Sequence, residues 1–459
     1  MVWSRRAAGL GWRAGLVLIG DLSLIVCGLL LATVQARAQV NAEQGRQRPI
    51  RARLIPDHFL PDPSIPPTWS IPVDPLGFSP PGPLYLGLRN SLASLDFIGE
   101  DKLLFTFRVP GLLHRDPSGN SSFERQIRAV VLDLPQGNVE AETVWTLHDR
   151  TRYLWMLNDG HFLLRDGNNL EAGDESLQLK PFLQFPGQLL TVSLDPAQEY
   201  IVTNSHEPEK TATQPAEAPS SSTNVPDSNA SSSTSSSSDG GDADSGEPSD
   251  TVVRILRRDS GNVLLVSRAH TLVDLPINTG GYIEDLRGQG WNWNLNLTSF
   301  DGGTRTVGSV DSRCDPREDF VSQNEFLVTT CASDGSETVI AMTTSGRSLW
   351  ADDIPSVAIW PEITVASGGL RIARETLGVN HPVNTYAPLD AGDIRGQWVT
   401  VYDAATGDLA LETPASPILD VGGNVAISPS GRRVAVLNAG AIQVFELPAP
   451  PPLPSPPDK

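Results

Sequence analysis

The chain has 459 residues, 54 Asp and Glu against 34 Lys and Arg, and a formal net charge of -20. That balance repels nucleic-acid phosphates and anionic membrane surfaces, which sets nucleic acid aside as a partner; it suits cations or basic proteins and equally serves plain solubility. The length allows one large closed domain as readily as several small ones.

The N-terminus addresses the chain outward. Arg5 and Arg6 precede an apolar run over 15–34, and Ala36, Arg37 and Ala38 ahead of Gln39 fit a small-x-small cleavage site. Residues 1–38 are expected to be a general secretory signal. An uncleaved signal anchor is the alternative, because about 20 apolar residues span a bilayer, although Asp21 interrupts the run. Ala7, Ala8 and Gly9 follow the arginines where a twin-arginine signal has an apolar residue, and Val26 precedes Cys27 where a lipidated cysteine needs a small neighbour. Removing the signal leaves Cys314 and Cys331, an even pair in an oxidising compartment, and a disulfide between them is expected. Two separate buried thiols are the alternative. Two cysteines without neighbouring histidine pairs do not complete a tetrahedral zinc site.

From 39 to 83 prolines remove amide donors too often for regular structure, and the segment reads as an extended leader. It serves as a tether, or it lies along the side of the folded domain with Trp69 and Phe78 as anchors. Four strand-like runs follow at 94–97, 102–109, 126–134 and 139–147, separated by turn residues. A second group covers 153–157, 161–165 and 176–185. The third opens at 189–194 and 199–204, is broken by a Ser- and Asp-rich insert at 206–250, and resumes at 251–257 and 263–268. The insert is too polar to bury anything and is expected to be a disordered loop. A weaker, irregular group occupies 274–312, with strict alternation over 291–297. Two more groups run through 319–350 and 358–412. The last, at 423–447, has three strand runs around the turn Ser428, Pro429, Ser430, Gly431 and then a proline-rich tail at 448–459. Residues 84–88 have the composition to supply its missing fourth strand and so close a ring.

The Ser428–Gly431 turn, the run Tyr200, Ile201, Val202, Thr203, Asn204 and the turn 402–407 resemble the repeats of WD40-like and YVTN-type β-propellers. The resemblance implies an all-β fold, a single β-propeller of about seven four-stranded blades over 84–447, with disordered leader and tail. Six or eight blades fit the pattern as well.

Chemistry is sparse at the level of motifs. Nucleophile elbows, phosphate-binding glycine loops and zinc-protease helices do not occur as patterns, and the seven histidines are scattered without ligand spacing. Propeller enzymes assemble sites from strands of different blades, so no catalytic residue is named and catalysis stays open. Trp291 and Trp293 share one side of an alternating strand, a candidate platform for sugars or peptides; blade-to-blade core packing is the competing role. The reading is a monomeric, non-catalytic extracytoplasmic scaffold, periplasmic or extracellular, that binds a protein partner of the cell envelope. It has no cofactor and meets the membrane only through an uncleaved anchor. The alternatives are a metal-dependent hydrolase or lactonase-like propeller enzyme, with calcium as the metal, or a sugar or small-ligand binder.

Overall fold

The computed structural model describes residues 60–82, 85–86, 90–109, 114–115, 123–149, 151–207, 251–383 and 389–451. The expected export segment lies outside these, as do 208–250 of the insert and 452–459 of the tail.

Seven antiparallel sheets follow one another along the chain as the blades of a propeller. A leader strand β1 (Trp69–Pro72) comes first. Blade 1 holds β2 (Ala93–Phe97), β3 (Lys102–Arg108), the two-residue β4 (His114–Arg115), β5 (Phe123–Asp133) and β6 (Val139–Leu147). Blade 2 holds β7 (Leu154–Met156), β8 (His161–Asp166), β9 (Asn169–Asp174) and β10 (Lys180–Gln184); blade 3 holds β11 (Gln188–Leu194), β12 (Tyr200–His206), β13 (Thr251–Arg257) and β14 (Val263–Ala269). Blade 4 holds β15 (Ile277–Asn278), β16 (Gly281–Arg287), β17 (Asn292–Ser299) and β18 (Thr304–Asp311). Blade 5 holds β19 (Arg317–Phe320), β20 (Glu325–Cys331), β21 (Glu337–Thr343) and β22 (Ser348–Ile354). Blade 6 holds β23 (Ala358–Val365), β24 (Arg371–Val379), β25 (Ile394–Asp403) and β26 (Leu409–Ala415), and blade 7 holds β27 (Val425–Ile427), β28 (Arg433–Asn438) and β29 (Ala441–Glu446).

Each blade is sandwiched between two others, so its middle strands are apolar on both faces. In β5, Ile127, Ala129 and Val131 face blade 2, while Val130 and Leu132 face blade 7. Such a strand reads as a continuous apolar run rather than an alternation. The insert leaves this architecture intact, because β12 and β13 stay in register on either side of it, His206 opposite Thr251.

Ring closure corrects the expectation for residues 84–88. The free edge of β29 is taken by β1, Trp69 opposite Val444 and Pro72 opposite Ala441. Of 84–88, Leu84, Gly87 and Leu88 lie outside the described residues. The prolines that argued against sheet structure are tolerated because β1 is an outermost strand, whose outward side needs no amide donor. The leader is docked further along its length: Ser64 N donates to Glu412 O at 2.8 Å, and Thr68 N to Val444 O at 2.7 Å. Ile71 and Phe78 are 6% exposed. Phe78 meets Phe105 and Phe107 edge-on at 5.3 and 5.5 Å, and Ile71 packs on Gly137, where a Cβ would approach it to 2.8 Å.

A polar tie recurs at the fifth residue of the second full strand in several blades. In blade 1 it is Thr106, whose hydroxyl bonds the Tyr153 hydroxyl of blade 2 at 2.8 Å. In blade 2 the Arg165 guanidinium donates to the Leu190 carbonyl of blade 3 and to Asp149 Oδ2. In blade 3 it is Asn204, the last residue of the YVTN-like run. Its Nδ2 donates to Val273 O at 3.0 Å and its Oδ1 accepts from Val273 N at 3.2 Å, which fixes the crossover into blade 4. In blade 6 Glu375 accepts from the amides of Gly423, Asn424 and Val425 at 2.9–3.1 Å, the entry to blade 7.

Cys314, in the crossover from blade 4, is bonded to Cys331 at the end of β20, with Cα atoms 5.6 Å apart. The expected disulfide is therefore present, pinning the crossover to blade 5. Among the described residues no helix is long and apolar enough to cross a membrane.

Two substitutions test these ties. Ile71→Ala should lower unfolding free energy by about 2–4 kcal/mol, as for a buried aliphatic truncation, read by denaturant unfolding; an unchanged midpoint rejects closure by β1. Asn204→Ala strands the Val273 amide and carbonyl and should cost about 1–3 kcal/mol, with raised amide exchange at Val273 as its local signature.

Candidate binding site in the axial channel

The first strands of the blades, β2, β7, β11, β15, β19, β23 and β27, sit innermost and line the ring axis. On the side of blades 3 to 6 they line a cavity of about 120 Å³, with Leu194, Asp274, Ile277, Glu318, Asp319 and Ile363 in its wall. Blades this far apart in sequence share a wall only at the axis.

The cavity is acidic. Glu318 on β19 occupies the inner-strand position that Leu95, Leu154 and Val425 fill elsewhere, and it is 6% exposed, with Oε1 lacking any protein partner. Burial, then the charges of Asp285, Asp319 and Asp274, push its carboxyl up to about 8. Burial also raises Asp274, with Asp319 adding to the effect and Arg317 opposing it. Arg317 itself is drawn aside, its Nε donating to Asp319 Oδ2 at 3.2 Å and its guanidinium lying 4.1 Å over the Trp360 ring. Among the described residues no group of three or more His, Cys, Asp or Glu side chains is arranged to hold a metal ion.

The other half of the channel is bridged. Arg152, just before β7 in blade 2, donates to Glu362 of blade 6 at 2.7 Å across the axis. Asp96 of β2 lies within reach of both charges; burial raises its carboxyl to about 6, against the Ser94 hydroxyl at 2.6 Å and the Arg152 charge.

The tryptophan pair expected as a platform is divided between core and surface. Trp293 is 7% exposed, packs between blades 4 and 5, and donates Nε1–H to Ser312 O at 3.0 Å. Trp291, outside the start of β17, is 44% exposed and carries Arg313 at 4.3 Å and Arg287 at 5.4 Å over its ring. Alternation placed the two rings on one side; burial separates them, and two arginines already cover the exposed one. Glu318, by contrast, escaped the sequence reading, which opened the strand one residue later. A charged side chain inside a short strand whose counterparts are apolar was the available signal.

No known family pattern matches this sequence, and no curated protein matches it. Among solved structures, the chain is similar to the acylaminoacyl peptidase of Pyrococcus horikoshii, at 8% identity and a TM-score of 0.44 over 78% of this chain and 52% of that one. It therefore spans about half the length of that peptidase. The β-propeller domain of the trilobed protease from Pyrococcus furiosus gives 10% identity and a TM-score of 0.40, covering 78% of this chain and 94% of that one. TolB from Acinetobacter baumannii gives 13% identity and a TM-score of 0.33, covering 70% and 74%. None of these carries an activity or a partner over to this chain.

Glu318 makes stability depend on pH with a defined sign. Its folded-state carboxyl binds its proton more tightly than the ordinary value of 4.5, so its contribution is fully present below that value and is lost as pH rises toward about 8. Melting temperatures of the wild type and of Glu318→Gln, compared from pH 4.5 to 8, should diverge steadily in favour of the variant. A constant difference contradicts a buried, unpaired carboxyl.

Proposed function

We propose that the chain is an exported, non-catalytic propeller of the WD40-like and YVTN-type repeat class, a rigid scaffold that binds a protein partner through its axial channel. The observation that carries this reading is the acidic cavity built by four blades, with a buried carboxyl whose Oε1 has no protein partner. Buried polar groups are paired in the great majority of cases, and the exceptions mark sites where something else completes the arrangement. The Arg152–Glu362 pair, 2.7 Å across the same channel, supplies an internal precedent for the chemistry that satisfies such a carboxylate. The Cys314–Cys331 bond suits an oxidising compartment outside the cytoplasm.

The test is crosslinked copurification of the full-length tagged chain from its native envelope, with Glu318→Gln in parallel. A reproducible envelope protein supports the scaffold, and its loss in the variant assigns the contact to the channel. A solitary chain defeats it, and calcium and glycan thermal shifts then decide between a metal-dependent hydrolase or lactonase-like enzyme and a sugar or small-ligand binder.

A further inference from the structure

Blade 4 is built differently from the others at the axis. Its inner strand β15 has two residues, facing a β16 of seven. The chain upstream of β15 does not continue the ladder: Val273 is held by Asn204 of blade 3, and Asp274 and Leu275 line the cavity without pairing with β16. Contact with β16 ends where Ile283 N donates to Pro276 O at 3.0 Å. Gly288 N donates the opposite way, to Asn292 O at 2.8 Å, so the strand alternation turns the amides of Asp285 and Arg287 toward the axis. Among the described residues no strand pairs with that side of β16 from Glu284 to Arg287. The Asp285 carboxylate leans on its own amide instead.

This open edge adjoins the acidic cavity. Asp285 is close enough to Glu318 for its charge to act on that carboxyl. Unpaired amides and carbonyls on a sheet edge are a template for an added strand, and alternate side chains of such a strand enter pockets beside it. A cavity of about 120 Å³ has room for more than one water, enough to take a polar head group.

We propose that an extended segment of a protein partner adds to β16 as a supplementary inner strand of blade 4, sending a lysine or arginine side chain into the cavity to pair with Glu318. The added strand supplies backbone hydrogen bonds to Asp285 and Arg287, while the cation answers the carboxylates of Glu318, Asp285, Asp319 and Asp274. This rests on the scaffold reading above and names the chemistry of its partner.

The experiment pans a randomised heptapeptide display library on the immobilised full-length chain, then measures the enriched peptides by titration. Expected are sequences with Lys or Arg at one fixed position between β-branched residues, weakened about tenfold or more by Glu318→Gln, as for loss of one member of a buried charge pair. Replacing the peptide arginine by citrulline, or N-methylating the backbone amides that face β16, should weaken them comparably. Thermal melting verifies that Glu318→Gln is folded, and Asp285→Asn reads the same loss from a half-buried position. The proposal is overturned by failure to enrich any peptide, by peptides without a fixed basic residue, or by affinities that neither the variants nor N-methylation change. An envelope partner captured equally by wild type and Glu318→Gln overturns it while leaving the scaffold intact; a solitary chain removes both.

Discussion

The ladder between β1 and β29 is the constraint on which the ring depends. Blade 7 contributes three strands of its own, and without a fourth its outer edge exposes the carbonyls and amides of Ala441–Glu446. Supplying that strand from the leader joins two distant parts of the chain, so that opening any one blade interface is opposed by the whole circle. The same segment continues inward through Val73, Leu76 and Phe78, which pack with Phe105 and Phe107 of blade 1 and with Leu437 and Val444 of blade 7. Hydrogen bonding and apolar burial thus act together at the seam where the chain closes on itself.

Around the closed ring, the polar ties set the spacing between successive blades. Where Thr106, Arg165, Asn204 and Glu375 stand, a side chain on one blade satisfies groups on the next. The equivalent residues of blades 4 and 5 are Asp285 and Thr329, and Thr329 Oγ1 is buried without a protein partner. Blades 4 and 5, which lack the tie, are two of the four blades that build the acidic cavity. Sites that violate the local rule followed elsewhere in a fold are where function is expected to reside.

Most of the architecture was legible because blade strands are apolar on both faces and bounded by turn residues. Strands β3, β5, β12, β13, β20 and β21 lie within three residues of the expected runs at either end for this reason. Strand β9, Asn169–Asp174, was missed because its sequence NLEAGD carries one large apolar side chain, Leu170; pairing with β8 and β10 holds it in place, and no local propensity announces that. Strand β1 is hidden by its proline density, which excludes a central strand but not an edge strand. The disulfide follows from the cysteine count together with the expected oxidising compartment. The cavity was hidden for a different reason: Ser193, Asp274, Glu318 and Ile363 are brought together by the ring, and their sequence neighbours say nothing of it.

The two halves of the channel make opposite use of the same chemistry. Across one half, the Arg152 guanidinium meets Glu362, so a carboxylate near the axis has a cationic partner. In the other half Arg317 is turned onto Asp319 and Trp360, and the charges that act on Glu318 are those of Asp285, Asp319 and Asp274. Burial and those charges raise the Glu318 carboxyl to about 8, so it holds its proton at neutrality. An ammonium or guanidinium entering the cavity reverses the preference, since the ionised form then gains a partner. On the proposed reading, entry of a basic side chain and release of the Glu318 proton are one event, favoured as pH rises toward about 8.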